Sequence, residues 1–182
     1  MLPMQSRPLF APWRMDYIKS VVKGEDDEKC FLCQAAAAAS DAERRQRLTL
    51  WTTDHMAVVI NRYPYTNGHL LIAPVAHKAE LEELTEAEQL DLQRQTADAV
   101  RLLRRAMSPQ GFNIGINIGR CAGAGLPGHL HQHVVPRWNG DTNFMGVVGE
   151  VRVVPQAMSQ LYDELVRVRG SMTNDETRMT NQ

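Results

Sequence analysis

The stretch Gly128-His129-Leu130-His131-Gln132-His133-Val134-Val135-Pro136 sets three of the chain's six histidines at alternate positions in an apolar, β-branched run closed by proline. In a strand over 129–135, side chains alternate between faces, so His129, His131 and His133 share one surface while Leu130, Gln132 and Val134 share the other. Clustered imidazoles act as metal ligands, nucleophiles or proton donors, and the strand alone does not choose among them.

Working outward, residues 119–128 form a glycine-rich loop, and residues 112–118 alternate Phe112, Ile114, Ile116 and Ile118 with Asn and Gly. That alternation predicts a strand, the antiparallel partner of 129–135. Thr85-Glu86-Ala87-Glu88 is a capping box that opens the longest helix, which runs to about Met107 before Pro109 and carries the stripe Leu92, Thr96, Ala99, Leu103. Upstream, 48–51, 55–61 and 69–74 read as short strands, and Tyr63-Pro64-Tyr65-Thr66-Asn67-Gly68 reads as the turn between the last two, with Asn-Gly a hairpin signal. Alanine-rich 35–39 predicts a helix continuing through 43–47. Met158, Leu161 and Leu165 predict a shorter C-terminal helix. The order implies an α+β fold, an antiparallel sheet with helices on one side. Residues 1–29 read as an ordered arm, 30–170 as the catalytic domain, and polar 171–182 as a disordered tail.

With 182 residues, 43% of them hydrophobic, the chain builds one core. A formal net charge of -1 gives no nucleic-acid footprint, and Arg44-Arg45-Gln46-Arg47 reads as a solvated helix face. No apolar stretch reaches membrane-spanning length, and the proline-broken N-terminus has no secretory core, so the expectation is a cytoplasmic protein with no membrane partner. Three cysteines in that compartment argue against a disulfide framework and make Cys30-Phe31-Leu32-Cys33 a metal or redox pair.

A glycine-rich loop entering a histidine-bearing strand suits a phosphate substrate, because glycines let backbone N–H groups approach phosphate oxygens. The loop fits neither the P-loop nor the dinucleotide fingerprint, having no Gly-Lys-Ser/Thr and no helix behind it.

On these residues the chain resembles the histidine-triad superfamily of nucleotide hydrolases and transferases. Gly128 to Pro136 matches the His-x-His-x-His motif; Asn61-Arg62-Tyr63-Pro64 with Gly68-His69 resembles the ribose-binding segment; Asn117 resembles the polar phosphate contact. Arg7-Pro8-Leu9-Phe10-Ala11-Pro12-Trp13-Arg14 and Pro136-Arg137-Trp138-Asn139-Gly140-Asp141-Thr142-Asn143-Phe144 look like the longer bacterial subgroup related to diadenosine tetraphosphate phosphorylase. The resemblance covers about residues 7–168.

It implies AMP transfer through a covalent histidine in a homodimer or higher oligomer. His131 would attack the α-phosphorus of a diadenosine polyphosphate. Phosphate or water would then take the AMP, so that diadenosine tetraphosphate and phosphate yield ADP and ATP. His133, His69, Asn117 and the backbone of Gly125 would hold phosphate, and Asn61 the ribose. The alternatives are a hydrolase acting on diadenosine triphosphate or adenosine phosphoramidates, or a non-catalytic nucleotide binder. By the same resemblance, His77 and His129 stand where zinc-bearing members of the superfamily complete a Cys-x-x-Cys site, giving a closed structural zinc on Cys30, Cys33, His77 and His129.

One departure stands out. Family members often carry Ser, Thr or Gln just before the triad as a leaving-group contact, whereas this chain has Ala122-Gly123-Ala124-Gly125-Leu126-Pro127. Gln132 reads as packing or interface, Cys121 as incidental, His55 as a hydrogen-bonded histidine near the sheet edge, and Trp13, Trp51 and Trp138 as packing, with Trp138 the nearest to the site.

Overall fold

A computed structural model describes residues 30–141 and 156–180, with side chains described to residue 172. The 1–29 arm, Trp13 and 142–144 therefore lie outside the described residues. Two short helices, α1 (Phe31–Ala36) and α2 (Asp41–Arg47), precede strands β1 (Thr49–Thr52), β2 (Met56–Ile60) and β3 (Leu70–Pro74). Then come α3 (Glu86–Met107), β4 (Gly111–Ile116), β5 (Gln132–Arg137) and α4 (Met158–Thr180). The strands form one antiparallel sheet in the order β1-β2-β3-β5-β4. This is the expected α+β architecture.

Its main core lies between the sheet and the helices α3 and α4. Val58, Ile60, Leu70, Ile72, Leu130 and Val134 meet Leu92, Ala99, Leu102, Leu103, Leu161 and Leu165 there. The alternate residues Val59, Leu71 and Ala73 point the other way and meet Cys30, Leu32, Ala35 and Leu126 in a second, smaller cluster. Helices thus cover both faces, not one, because α1 and Cys30 before it pack beneath the sheet.

Several boundaries differ from the sequence reading. The helix expected through 35–47 is two helices: Ser40 takes an N-cap conformation, with its hydroxyl accepting from the Glu43 N–H and Glu43 reaching back to the Ser40 N–H. A capping box starts a new helix wherever it occurs, and alanine propensity upstream does not override it. The β2–β3 link spans residues 61–69 and contains the turn expected over 63–68. Gly68 has φ +77, and a Cβ there would stand 2.6 Å from Met107 Sδ, so glycine lets the loop close against the end of α3. Helix α4 is not the shorter one: it runs 23 residues against 22 for α3, through a stretch whose polar composition suggests disorder. Val168 is buried and Met172 packs on the core, which carries the apolar stripe past Gly170.

The triad strand also begins later than expected. The ladder of β5 opens at Gln132, and ahead of it the Leu130 N–H donates to Lys78 O at 2.6 Å. The alternation of side chains survives: Leu130 and Val134 enter the core, and Gln132 donates to Thr96 Oγ1 on α3 at 2.6 Å. Gln132 is therefore a packing residue that fastens the back of β5 to α3.

Candidate active site and metal centre

His129 leaves the other two histidines and turns toward the N-terminal cysteines. Its Nδ1 lies 3.3 Å from Cys30 Sγ and 3.4 Å from Cys33 Sγ, and His77 Nδ1 lies 3.1 Å from Cys33 Sγ. The four ligand atoms all fall within 4.8 Å of one another. A tetrahedral zinc with bonds of about 2.3 Å to sulfur and about 2.1 Å to nitrogen sets neighbouring S and N atoms roughly 3.5 Å apart. The cluster fits that ion. His129 Nε2 donates to Pro74 O at 2.8 Å, which leaves the Nδ1 lone pair facing the thiols, the outer-shell bond a metal-bound histidine needs. Of the two readings of Cys-x-x-Cys, metal pair and redox pair, the structure favours the metal.

Two residues beyond, His131 is buried and its Nδ1 lies 2.8 Å from the carbonyl oxygen of His129. A carbonyl only accepts, so the proton sits on Nδ1 and the lone pair on Nε2. Burial pulls the His131 pKa below its ordinary value, against the opposing effect of that backbone bond. A neutral imidazole with a defined basic nitrogen is a competent nucleophile.

His133 is fixed by a longer chain of contacts. The backbone N–H of Tyr65 donates to His69 Nδ1 at 3.0 Å, so the His69 proton is on Nε2. That nitrogen lies 3.0 Å from His133 Nδ1, which must accept, and His133 therefore carries its proton on Nε2. The Asn117 amide stands 3.5 Å from this atom; its oxygen and nitrogen are interchangeable by a flip, so the oxygen is free to accept. Burial first, and then the neighbouring His131, hold the His133 pKa down to about 4. His131 and His133 pack edge to face with ring centroids 5.0 Å apart. The arrangement sets a lone pair on one ring beside an N–H on the next.

The β2–β3 loop supports these rings. Asn61 accepts from the Tyr63 N–H at 3.0 Å and its amide nitrogen lies 3.2 Å from His69 Nδ1, while Thr66 donates to Pro136 O at 2.9 Å. His69, fully buried, joins Asn61 to the triad. Gly125 sits half-buried in the glycine loop, which contains a short 3-10 turn at Arg120–Ala122. Tyr65 is the residue that sequence reasoning missed: its ring stacks on His69 at 4.8 Å and on His133 at 5.8 Å. Its position two residues before Asn67-Gly68 in a turn hides that role. Trp138 donates to Met107 O at 3.4 Å and Trp51 to Gln95 Oε1 at 2.8 Å, so both are packing residues. His55 is exposed, with its backbone tied to Thr53 and Val75 at the strand end. Cys121 is exposed in the glycine loop.

A model of the HIT domain matches residues 43–140. The chain belongs to the HIT family. Among HIT relatives, an AP-4-A phosphorylase of Mycobacterium tuberculosis is 36% identical over 155 residues, covering 85% of this chain and 80% of the relative. An asymmetrical bis(5'-nucleosyl)-tetraphosphatase of Schizosaccharomyces pombe is 32% identical over 91 residues, 50% of each chain. Among solved structures, a zinc-bound histidine triad family protein from Mycobacterium smegmatis superposes with a TM-score of 0.65 at 22% identity, over 82% of this chain and 99% of that one. This HIT chain stands among proteins that process nucleotides, and no helix of its described residues is long and apolar enough to cross a membrane.

Proposed function

We propose that this protein cleaves diadenosine tetraphosphate by moving AMP onto His131 and then onto inorganic phosphate, releasing ATP and ADP. The observation that carries the reading is the bond from His131 Nδ1 to the His129 carbonyl, which leaves Nε2 as an unprotonated nucleophile. In the first step Nε2 bonds the α-phosphorus and the bridging P–O bond breaks, its electrons leaving with ATP. In the second, a phosphate oxygen attacks the same phosphorus and frees His131. Both steps need donors around the equatorial oxygens more than covalent help. His133 Nε2–H, Asn117 and the backbone of Gly125 supply them, His69 holds His133, and Asn61 takes the ribose. Phosphate, and not water, as the acceptor rests on the 36% identity to the mycobacterial phosphorylase.

Zinc on Cys30, Cys33, His77 and His129 would have four protein ligands and no open position, so it would supply structure, clamping residue 30 to the triad segment. The protein acts as a homodimer in this reading, with the open side of β4 as the natural contact.

Incubation with diadenosine tetraphosphate tests the proposal. ADP plus ATP, formed only when phosphate is present, is the expected result. AMP plus ATP in plain buffer would make the protein a hydrolase, and no turnover with nucleotide still bound would make it a binder. His131→Asn should lower kcat by more than about 10⁴ with nucleotide affinity kept, since it removes the nucleophile alone.

A further inference from the structure

Tyr65 touches both histidines that stand beside the nucleophile. Its backbone N–H donates to His69 Nδ1 at 3.0 Å. Its ring stacks on His69, with centroids 4.8 Å and planes 29° apart, and on His133, at 5.8 Å and 26°. We infer that Tyr65 is a positioning residue for the adenylyl transfer: its ring sets the planes of His69 and His133 and so aims the His133 Nε2–H at the phosphate. This role rests on the reading of His131 as the adenylyl carrier and adds a residue to it.

Histidine stereochemistry creates the need. The torsion that turns an imidazole about its Cβ–Cγ bond is broad and lacks sharp staggered wells. The contact from His69 Nε2 to His133 Nδ1, 3.0 Å long, fixes a line between the rings and leaves rotation about that line open. The two rings are tilted 43° to each other, outside the stacked arrangement, so they do not hold one another flat. A single aromatic face laid across both removes that freedom, because offset stacking is a preferred geometry of aromatic pairs. Direction matters here. A hydrogen bond weakens steeply as its angle closes, and a catalytic group misplaced by about 1 Å loses on the order of a hundredfold in rate.

The β2–β3 loop is built to keep the ring in place. Pro64 restricts the backbone just before Tyr65. Thr66, just after it, donates to Pro136 O on β5, the strand that carries His133. The His69 N–H returns to Thr66 O at 3.3 Å and closes the turn. Tyr65 is thereby half-buried beside a fully buried His69. An aliphatic side chain at this position would fill the space but offer no plane.

The test compares the zinc-loaded, full-length parent with Tyr65→Phe, Tyr65→Leu and Tyr65→Met, each supplied with diadenosine tetraphosphate and phosphate. Tyr65→Phe keeps the ring and should hold kcat within about threefold. Tyr65→Leu and the more adaptable Tyr65→Met should each lower kcat by roughly 10- to 100-fold with KM within about threefold, since the ring acts on transition-state contacts and not on nucleotide binding. Equal losses in all three variants, a non-aromatic variant that keeps its kcat, or a loss confined to KM would overturn the inference. Nitrogen NMR of labelled histidine rings, without substrate, gives a readout apart from turnover. The parent and Tyr65→Phe should show His133 with Nε2 protonated and Nδ1 bare, and the non-aromatic variants averaged signals. Matching His133 signals in all four proteins would also overturn it. No turnover and no AMP adduct in the parent would remove the adenylyl-carrier reading, and the NMR comparison would still decide whether Tyr65 orders the two rings.

Discussion

Each imidazole of the site has its proton placed by a backbone group: a carbonyl for His129 and His131, and an N–H, acting through His69, for His133. Neutrality has a cost in acid. In the unfolded chain His133 titrates near 6.5, and in the folded protein at about 4. Between those values the unfolded chain binds the extra proton, so stability is full above pH 6.5 and falls as pH drops toward 4. Glu88 acts lower. Lys78, donating at 2.6 and 2.8 Å, holds its carboxyl at about 2 against an ordinary 4.5, so its contribution is full above 4.5 and lost toward 2. Urea midpoints measured from pH 7.5 down to 3 should therefore decline in two stages. His133→Asn should flatten the upper stage and Glu88→Gln the lower one. A midpoint constant from 7 to 4.5 in the parent protein would contradict the neutral His133.

At the scale of elements, local chemistry was legible where it is self-contained. Thr85 opens α3 with the capping box that the sequence displays, and its hydroxyl accepts from the Glu88 N–H. Thr85→Ala and Ser40→Ala should each cost about 1 kcal/mol in urea unfolding, because each orphans a donor at a helix start. The start of β5 was not legible, since it depends on Lys78 taking the Leu130 N–H from a loop fifty residues earlier in the chain. The turn at Gly68 was legible but its packing was not, for a similar reason: its neighbour is Met107, at the far end of α3, and no local pattern reports that contact. Gly68→Ala should destabilise by more than about 1 kcal/mol, as positive φ and the close sulfur both oppose a Cβ. An unchanged midpoint would show that the loop relaxes freely. The side of the sheet that α1 covers was hidden too, because Cys30 and Leu32 reach the second cluster only through the fold.

For the whole molecule, resemblance reached further than periodicity. The metal set joins residues 30, 33, 77 and 129, and no local pattern brings such distant positions together; only the likeness to a known family named them. Removing zinc with a chelator should lower Tm by on the order of 10 °C, since the ion ties α1 to the triad segment. The sheet itself carries the remaining argument. At one edge β1 is buried, and Tyr162 of α4 donates to Thr49 O at 3.2 Å. At the other edge nothing among the described residues pairs with the outer side of β4, where Ile114 is 48% exposed and Ile118, just past the strand, 40%. An open strand edge with apolar side chains and no charged gatekeeper invites a second strand, and a second copy of β4 would satisfy both. Light scattering should give at least a dimer for the parent protein and a monomer for Ile114→Lys, with the far-UV circular dichroism unchanged. A monomeric parent would remove the dimer from this account, and an Ile114→Lys variant that keeps the parent's mass would move the interface away from β4.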